Sequence, residues 1–217
     1  MDQDKLNKQS NYWESNFSKK PLMFGLIPSA ASLSALKKFE EDNIKEIIEL
    51  GAGLGRDTVF FAKNKIKVEA LDYSSTAIKI IEEKAKDNNL SKFISTKHFD
   101  IRNKLPYKDN SINGIFSHML YCMALTNSEI KQLNNEILRV LKPGGINIYS
   151  VRNTSDGDYK KGIHRGEDMY ENDGFIINFF SEKKVNGLLE GFKNLSITNF
   201  EEGNFPRKLF LIQNKKL

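Results

Sequence analysis

The sequence predicts an α/β protein: a doubly wound, mostly parallel seven-stranded sheet with an antiparallel C-terminal strand pair and helices on both faces. Two observations support this fold class. Short apolar runs alternate with amphipathic segments along most of the chain, which is typical of parallel strands joined by crossover helices. Two β-rich segments then follow each other near the C-terminus without a helical segment between them, which predicts a terminal strand pair.

The five strands before this pair are short and largely apolar. They are EIIEL (46–50), KVEALD (67–72), FISTKHFD (93–100), INGIFSHML (112–120) and INIYSV (146–151). The terminal pair consists of LSITNFEEG (195–203) and KLFLIQN (208–214). The carboxyl ends of the parallel strands therefore meet at one edge of the sheet, where open α/β folds bind their ligands.

Helical periodicity predicts the segments that connect these strands. The predicted helices cover 57–64, 74–88, the segment from 126 to the proline at 143, and 181–192. Ser74 or Ser75 is expected to cap the second of these helices, and Thr126 and Glu129 have the spacing of a capping box. Pro143-Gly144-Gly145 is expected to stop the third helix.

Two regions lie outside the alternation, and we expect both to belong to a single domain that spans residues 1–217. Residues 1–40 form an aromatic N-terminal segment, predicted as helical and as a lid. Residues 152–178 form a polar segment with four glycines that follows the fifth strand. Because this segment leaves the carboxyl end of a strand, we predict that it forms part of the substrate side of a binding site.

The composition excludes several classes of protein. No stretch reaches the roughly 18 consecutive apolar residues of a membrane span, and the beginning MDQDKLNKQSNYW lacks the apolar core of a secretory signal. The single cysteine fits a reducing compartment, so we expect a cytoplasmic protein with no membrane partner. The net charge of +5 does not indicate a nucleic-acid partner, because lysines alternate with glutamates as on solvated helix faces.

The stretch ELGAGLGRD (49–57) follows the first strand and predicts a nucleotide-binding turn. Its glycines form G-x-G-x-G, and Arg56 stands where the NAD fingerprint has its third glycine. Glu49 and Asp57 flank the turn, and both would repel a pyrophosphate. These acids favour a ligand that is cationic at this point, such as S-adenosylmethionine (SAM). Asp72 lies 21 residues after Gly51 and is placed to accept hydrogen bonds from ribose hydroxyls, a feature that NAD-binding proteins share.

Five segments, in this order, resemble the motifs of the class I (seven-stranded, Rossmann-like) SAM-dependent methyltransferases. They are ELGAGLG (49–55), ALDYSSTAI (70–78), HFDI (98–101), LPYKDNSINGIFSHML (105–120) and VLKPGGINIYS (140–150). They span about half of the chain. The flanks, with YW near the start and FFSEKKVNGLLEGF near the end, are similar to the small tellurite-resistance and thiopurine-type branch. Asn113 stands where the family often has aspartate.

The resemblance implies SAM as cofactor, S-adenosylhomocysteine as product, and a set of donor-binding residues. The backbone of Gly51, Ala52 and Gly53 would approach the methionine part, with Glu49 near its ammonium group. The remaining donor-side residues implied by the resemblance are Tyr12, Arg56, Asp57, Asp72, Tyr73, Ser74, Asp100, Ile101 and His118. Alternative interpretations stay open: Asp57 is also a first-turn acid favoured by a helix dipole, and Tyr12 lies on a helix face suited to core packing.

The acceptor side is less defined by sequence. His118 and Tyr121 at the end of the fourth strand are the candidates for a base or a substrate contact, although a histidine bonded within the sheet edge has equal standing. Arg152 is a candidate contact for an anionic substrate, and His164 faces either substrate or water. The three histidines lie far apart with no metal-ligand spacing, so no metal site is expected.

Four functions compete at this point. The first is methyl transfer to a small-molecule acceptor by direct displacement, carried out by a monomer or a homodimer. The second is methylation of RNA or protein, prompted by the high pI. The third is a nicotinamide oxidoreductase, which Arg56 and Glu49 disfavour. The fourth is a SAM-binding regulator without catalytic activity.

Overall fold

The computed structural model describes residues 3–203 and 207–217. Two N-terminal helices, α1 (Gln3–Lys19) and α2 (Ala30–Glu41), precede the alternating part of the fold. That part consists of β1 (Glu46–Leu50), α3 (Arg56–Lys63), β2 (Lys67–Asp72), α4 (Ser75–Asp87), β3 (Ile94–His98), β4 (Ile112–His118), α5 (Asn127–Val140) and β5 (Leu141–Arg152). The C-terminal part contains β6 (Ile163–Gly166), β7 (Met169–Asn172), β8 (Phe175–Asn178), α6 (Glu182–Asn186), β9 (Phe192–Glu202) and β10 (Arg207–Lys216).

The main sheet confirms the predicted fold class. Its seven strands lie in the order β3-β2-β1-β4-β5-β10-β9. The first five are parallel to one another, and β10 runs antiparallel to both β5 and β9. The order reverses between β1 and β4, and this reversal places a crevice at the carboxyl ends of these strands.

Helices cover both faces of the sheet and bury its side chains. On one face, Phe39 of α2 and Phe61 of α3 pack against Val68 and Phe116, and Ile81 of α4 packs near Ala70 in a neighbouring cluster. On the other face, α5 contributes a row of fully buried apolar side chains. The members of this row are Ile130, Leu133, Ile137 and Val140. The predicted capping signals for α4 and α5 are both present, since Ser74 caps α4 and Thr126 with Glu129 forms a capping box.

Three sequence expectations need correction. The helix α5 ends at Val140, before the proline, because Leu141 is already extended and pairs with Ile112. The Pro143–Gly145 segment therefore lies inside β5 instead of stopping a helix. The helix predicted over 181–192 contains only α6, which ends where Gly187 caps it.

The segment 152–178 forms a small second sheet with strand order β6-β7-β8. All its pairings are antiparallel, and α1 packs on its last strand. Leu6 of α1 is buried with Met169 and Ile176 of this sheet. The insertion and the N-terminal helix therefore lie side by side. Within the described residues, no helix has both the length and the apolar character needed to cross a membrane.

Candidate active site

The predicted nucleotide-binding turn lies at the carboxyl end of β1, between β2 and β4. Gly51, Gly53 and Gly55 all have positive φ angles, between 53° and 75°. At Gly51 this conformation is combined with close contact, because a Cβ atom there would lie 2.8 Å from Leu120 Cδ1. A side chain at this position would therefore be strained and would displace the loop that follows β4.

The backbone N–H groups of this turn point into the protein. Gly51 and Ala52 both donate to the carbonyl of Leu71, at 2.8 and 3.1 Å. Gly53 donates to Oδ2 of Asp72 at 2.8 Å. A phosphate-binding turn presents such groups to its ligand, so a turn that uses all three internally is poorly suited to a pyrophosphate.

Asp72 ends β2 beside this turn and is almost completely buried. Its second oxygen accepts a 2.9 Å hydrogen bond from the N–H of Ser74. Burial raises the pKa of Asp72 to about 6, although the bonds from Ser74 and Gly53 act in the opposite direction. The carboxylate predicted to bind the ribose thus lies next to the glycine turn and already holds it in place.

Gly55 has a packing role that the sequence did not reveal. It is the N-cap of α3, and a Cβ atom there would lie 2.6 Å from Cγ1 of Ile81. The glycine therefore lets the turn and α4 come into contact. This task resembles that of the third glycine in dinucleotide-binding folds, displaced by one position.

The two acids that flank the turn have different roles. Glu49 is buried and accepts a 2.5 Å hydrogen bond from the Thr58 hydroxyl, and burial followed by repulsion from Asp57 raises its pKa well above the usual value. Asp57 accepts hydrogen bonds from the N–H and hydroxyl of Ser29 and from the hydroxyl of Ser32. Both Asp57 oxygens thereby hold the start of α2, which favours the structural interpretation over a role in donor binding.

The residues predicted on the adenine side line one cleft. Tyr73, Asp100 and Ile101 line it together with Trp13 of α1 and Leu120. Both carboxylate oxygens of Asp100 accept hydrogen bonds from the Arg102 side chain, and these bonds lower its pKa although burial opposes them. With α1 in this position the cleft has a volume of about 40 Å³.

The helix α1 covers this cleft and is bonded on two sides. The Glu14 carboxylate accepts hydrogen bonds from the hydroxyls of Ser74, Ser75 and Thr76 at the start of α4. Burial would raise the pKa of Glu14, but these bonds outweigh it and lower the pKa. On the other side, the Tyr12 hydroxyl donates to the carbonyl of Asp173 at 2.5 Å.

Aromatic side chains fill the space between α1 and the glycine turn. The rings of Phe17 and Phe24 both lie 3.8 Å from the position that a Cβ atom on Gly53 would take. Trp13 contacts both of these rings and also Phe175 of β8. Phe17 and Phe24 thus pack over the glycine turn beside Trp13, whereas Tyr12 lies against Gly174.

His118 lies at the end of β4 in a cluster of polar side chains. Its Nδ1 is 2.8 Å from the Ser150 hydroxyl, and its Nε2 is 3.1 Å from a guanidinium nitrogen of Arg56. The same Arg56 nitrogen donates to Glu202 at 2.5 Å. Burial would raise the pKa of Glu202, but its contacts with His118 and then Arg56 lower it to about 2. Glu202 lies at the end of β9, far away in the sequence, and had not been predicted as a site residue.

Three predicted acceptor-side residues lie elsewhere. Tyr121 is fully buried and stacks on Tyr149 with ring centroids 4.4 Å apart, so its side chain belongs to the core. Arg152 is buried, and its Nε and one terminal nitrogen donate to the carboxylates of Asp156 and Asp158, so its charge is already paired within the protein.

His164 lies on β6, where its Nε2 is 2.9 Å from the carbonyl of Glu167. It is exposed there, as a solvent-facing histidine would be. In residues 3–203 and 207–217, no group of three or more His, Cys, Asp or Glu side chains is arranged to hold a metal ion. That the protein works without a metal stays a prediction.

Comparison with known proteins decides between the families that share this geometry. Residues 47–145, which contain the glycine turn and strands β1 to β4, match the family described as "Methyltransferase domain". The chain is 31% identical over 185 residues to phosphoethanolamine N-methyltransferase 1 of Triticum aestivum. This chain belongs to the class I SAM-dependent methyltransferases. The resemblance to the tellurite-resistance and thiopurine-type branch stays a prediction.

The wheat relative is a much longer protein. The match covers 80% of this chain but 36% of the relative, so the chain spans about a third of the length of the curated proteins it matches. Two solved structures of such methyltransferases share the fold. A SAM-dependent methyltransferase of Methanosarcina mazei has a TM-score of 0.69 at 22% identity, over 79% of this chain and 92% of that one. The 1,6-didemethyltoxoflavin-N1-methyltransferase of Burkholderia thailandensis has a TM-score of 0.72 at 14% identity, over 97% and 89%.

Proposed function

We propose that this protein transfers a methyl group from SAM to a small-molecule acceptor and releases S-adenosylhomocysteine. One observation carries the proposal: the N–H groups of Gly51, Ala52 and Gly53 all donate hydrogen bonds to groups within the protein. The acceptor is the carbonyl of Leu71 for the first two and the carboxylate of Asp72 for the third. The turn therefore offers an acid, and not a set of donors, to its ligand. This chemistry suits ribose hydroxyls and a cationic methionine part, and it does not suit a pyrophosphate.

The residues of the cleft, together with the adjacent glycine turn and Asp72, fit SAM part by part. Asp72 would accept from the ribose hydroxyls, and Tyr73, Asp100 and Ile101 would surround the adenine. The turn of Gly51 and Gly53 would take the methionine part. When bound, SAM supplies a methyl group on a sulfonium that already carries its leaving group. The chain's own task is then to hold the two reactants in line, and effective molarities from such positioning reach about 10⁵–10⁸ M.

We further propose that α1 is a lid. Ligand sites in proteins typically measure about 300–1,000 Å³, whereas the cleft under α1 measures about 40 Å³. SAM binding would therefore move Trp13 and Phe17 away from the turn. The bonds of Glu14 and Tyr12 at the two sides of α1 would then be the contacts that open and close.

The names of two relatives support a proposal for the acceptor class. The wheat relative is named for methylation of phosphoethanolamine, and the Burkholderia enzyme for methylation at a ring nitrogen. A nitrogen acceptor attacks through its lone pair, and it must lose a proton before or during the transfer if it starts as an ammonium. We propose a small amine or ring nitrogen as the acceptor, with His118 as the residue that takes the proton. A cytoplasmic monomer or homodimer without a nucleic-acid or membrane partner completes the proposal.

Methylation of RNA or protein is the second candidate, and it rests on the pI of about 9.1. A catalytically inactive SAM-binding regulator is the third, because a fold and a binding site alone do not determine a reaction. A test of all candidates begins with thermal unfolding of the full chain in the presence of SAM, S-adenosylhomocysteine or NAD. A ligand at about 100 times its Kd adds roughly 2.7 kcal/mol, which is about 5–10 °C in Tm for a chain of this size.

We expect this increase with SAM and S-adenosylhomocysteine and not with NAD. The reverse result would overturn the proposal. Transfer of labelled methyl from SAM is then measured with a panel of small amines, phenols and thiols, and in parallel with bulk RNA and protein. Label on an amine supports the proposed acceptor class. Label on RNA, with binding that weakens steeply as salt increases, would support the second candidate instead. Binding of SAM with no transfer to any acceptor would favour the regulator.

A further inference from the structure

Four polar side chains from four different elements meet beside the glycine turn. They are Arg56, the first residue of α3; His118, the last residue of β4; Ser150 of β5; and Glu202, the last residue of β9. All four are buried or half-buried. The cluster therefore links the donor-binding turn to the end of the strand that carries the candidate acceptor-side histidine.

The contacts of Arg56 favour one tautomer of His118. A guanidinium only donates hydrogen bonds. Arg56 lies 3.1 Å from Nε2 of His118, and this contact is a hydrogen bond when Nε2 is the acceptor, as it is in the tautomer that carries its proton on Nδ1. In this tautomer the N–H of Nδ1 donates to the Ser150 hydroxyl, which lies 2.8 Å from Nδ1. The Ser150 oxygen also accepts from the N–H of Met119, which is consistent with its accepting role here.

Glu202 provides a second acceptor beside His118, and this acceptor has no hydrogen-bond partner while Nε2 is unprotonated. Its Oε1 accepts from Arg56, whereas its Oε2 is buried and has no hydrogen-bond partner. This Oε2 atom lies 3.5 Å from Nε2 of His118. An unpaired buried carboxylate oxygen is costly, and it becomes paired as soon as Nε2 carries a proton.

Arg56 is also tied to the N-terminal segment. A second guanidinium nitrogen donates to the carbonyl of Phe24 at 3.2 Å, and its Nε lies 3.9 Å from the carboxylate of Asp57. The Phe24 ring lies over Gly53, where the donor is proposed to bind. If the segment that carries Phe24 moves when SAM binds, the hydrogen bond from Arg56 to the Phe24 carbonyl breaks. Arg56 is then less firmly held beside Nε2 of His118.

We propose that Arg56 and Glu202 are positioning residues that hold His118 in two successive protonation states. Arg56 bonds the Nε2 lone pair of the neutral imidazole, and Glu202 Oε2 accepts from Nε2–H of the imidazolium once Arg56 has moved. The proposal rests on the proposed function.

During transfer, the acceptor lone pair forms the new bond to the methyl carbon, the carbon–sulfur bond breaks and leaves its electron pair on sulfur, and the acceptor proton moves to Nε2. Among the described residues, the charged groups in contact with His118 are Arg56 from α3 and Glu202 from β9.

The first test is independent of methyl transfer. Imidazole ¹⁵N NMR of the full chain distinguishes Nδ1–H from Nε2–H, and the chain has three histidines, so a His118→Asn spectrum identifies the signal. At high pH we expect the Nδ1–H tautomer in the wild-type protein. In Arg56→Met, the proton is expected on Nε2, where Glu202 accepts it. An Nε2–H tautomer in the wild-type protein, or no change in Arg56→Met, would overturn the proposal.

The second test uses activity. Glu202→Gln keeps the shape of the side chain and removes the charge that stabilises the imidazolium, so the acid limb of the kcat/KM profile should move by about one pH unit to lower pH, with a lower maximum rate. Glu201→Gln is the matched control, since Glu201 is the exposed neighbour on the same strand. Equal profiles for the two variants would contradict the proposal. If SAM binds but no acceptor is methylated, the proposed function fails, and the NMR experiment alone decides the inference.

Discussion

The ring of Tyr12 occupies the space that a side chain at Gly174 would fill. A Cβ atom on Gly174 would lie 2.8 Å from both Cζ and the hydroxyl oxygen of Tyr12. Gly174 also has a φ of +83°, in the left-handed region that other residues rarely adopt. The turn between β7 and β8 is therefore shaped to receive the N-terminal helix, and the hydroxyl of Tyr12 completes the contact by donating to Asp173.

The first prediction concerns this contact. Gly174→Ala should cost about 1–3 kcal/mol through backbone strain, and the added methyl group should push α1 away from β8. Trp13 is the only tryptophan of the chain, and its ring centroid lies 4.8 Å from that of Phe175, so its fluorescence reports this displacement. We expect an emission shift to longer wavelength, together with faster proteolysis within α1.

Gly157→Ala is the control for this variant. Gly157 has no positive φ, and a Cβ atom there meets nothing within 4 Å, so its replacement should change neither fluorescence nor proteolysis. If Gly174→Ala and Gly157→Ala give the same emission spectrum, the Tyr12 contact does not hold α1 in place.

The second prediction concerns the bonds of Glu14. Both carboxylate oxygens of Glu14 accept hydrogen bonds from hydroxyls and an N–H group at the start of α4. In Glu14→Gln one of these oxygens becomes an NH₂ group, which can only donate, so α1 should detach on this side. The pKa of Glu14 is lowered in the folded protein, so the contact is present above its ordinary value of 4.5 and is lost as the pH decreases below it. In the wild-type protein, Trp13 fluorescence should therefore change on acidification before global unfolding.

This early change should be absent in Glu14→Gln, where α1 is already detached at neutral pH. Glu83→Gln is the control, because Glu83 is an exposed carboxylate on α4 itself. An identical pH profile in wild-type protein and Glu14→Gln would rule out the Glu14 contact as the cause.

Local signals in the sequence predicted the central elements well. The strands β1 and β2 have the predicted bounds, because each is a short apolar run between a polar residue and a turn. The helix α4 begins at its predicted serine cap for a similar reason. By contrast, the strands β6 to β8 have four residues each, and β6 and β7 are largely polar, so no periodicity distinguishes them from a loop. Their pairing is a tertiary effect.

The same limit applies to the site. The glycine turn and Asp72 are close in sequence and follow a recognisable spacing. Glu202 meets Arg56 across 146 positions of sequence, and only the antiparallel addition of β10 and β9 to the sheet brings it there. Arg152 was a reasonable candidate for an anion contact, but its guanidinium donates hydrogen bonds to Asp156 and Asp158, which lie within the next six residues. No feature of a single residue reveals such partners.

The third prediction concerns the pH dependence of Asp72. Its pKa is raised from 3.8 to about 6 by burial, so this group stabilises the fold at low pH, and the contribution is lost as the pH rises through 6. The loss is on the order of 3 kcal/mol for a shift of this size. Asp72→Asn removes the titration. The free energy of unfolding of the variant, relative to wild type, should therefore increase between about pH 4 and pH 7.

Binding of SAM should show the opposite trend. Ribose hydroxyls donate to the ionised carboxylate, so the affinity of the wild-type protein should increase as the pH rises through 6, whereas Asp72→Asn should bind weakly at all pH values. Calorimetric titration between about pH 5 and pH 8 measures both. Asp87→Asn, at an exposed position at the end of α4, should behave like wild type. Full affinity in Asp72→Asn would remove Asp72 from the donor site.

The fourth prediction separates a structural acid from a binding one. Asp57 accepts three hydrogen bonds from Ser29 and Ser32, and an asparagine amide would place a donor against at least one of these donors. Asp57→Asn should therefore lower the free energy of unfolding by about 1.5–3 kcal/mol and leave the Kd for SAM within about twofold. Urea unfolding and calorimetry measure the two effects, with Asp87→Asn again as the exposed control. A Kd that rises about tenfold, which is about 1.4 kcal/mol, with unchanged stability would instead place Asp57 in the donor site, because a residue that only anchors α2 has no separate effect on the ligand.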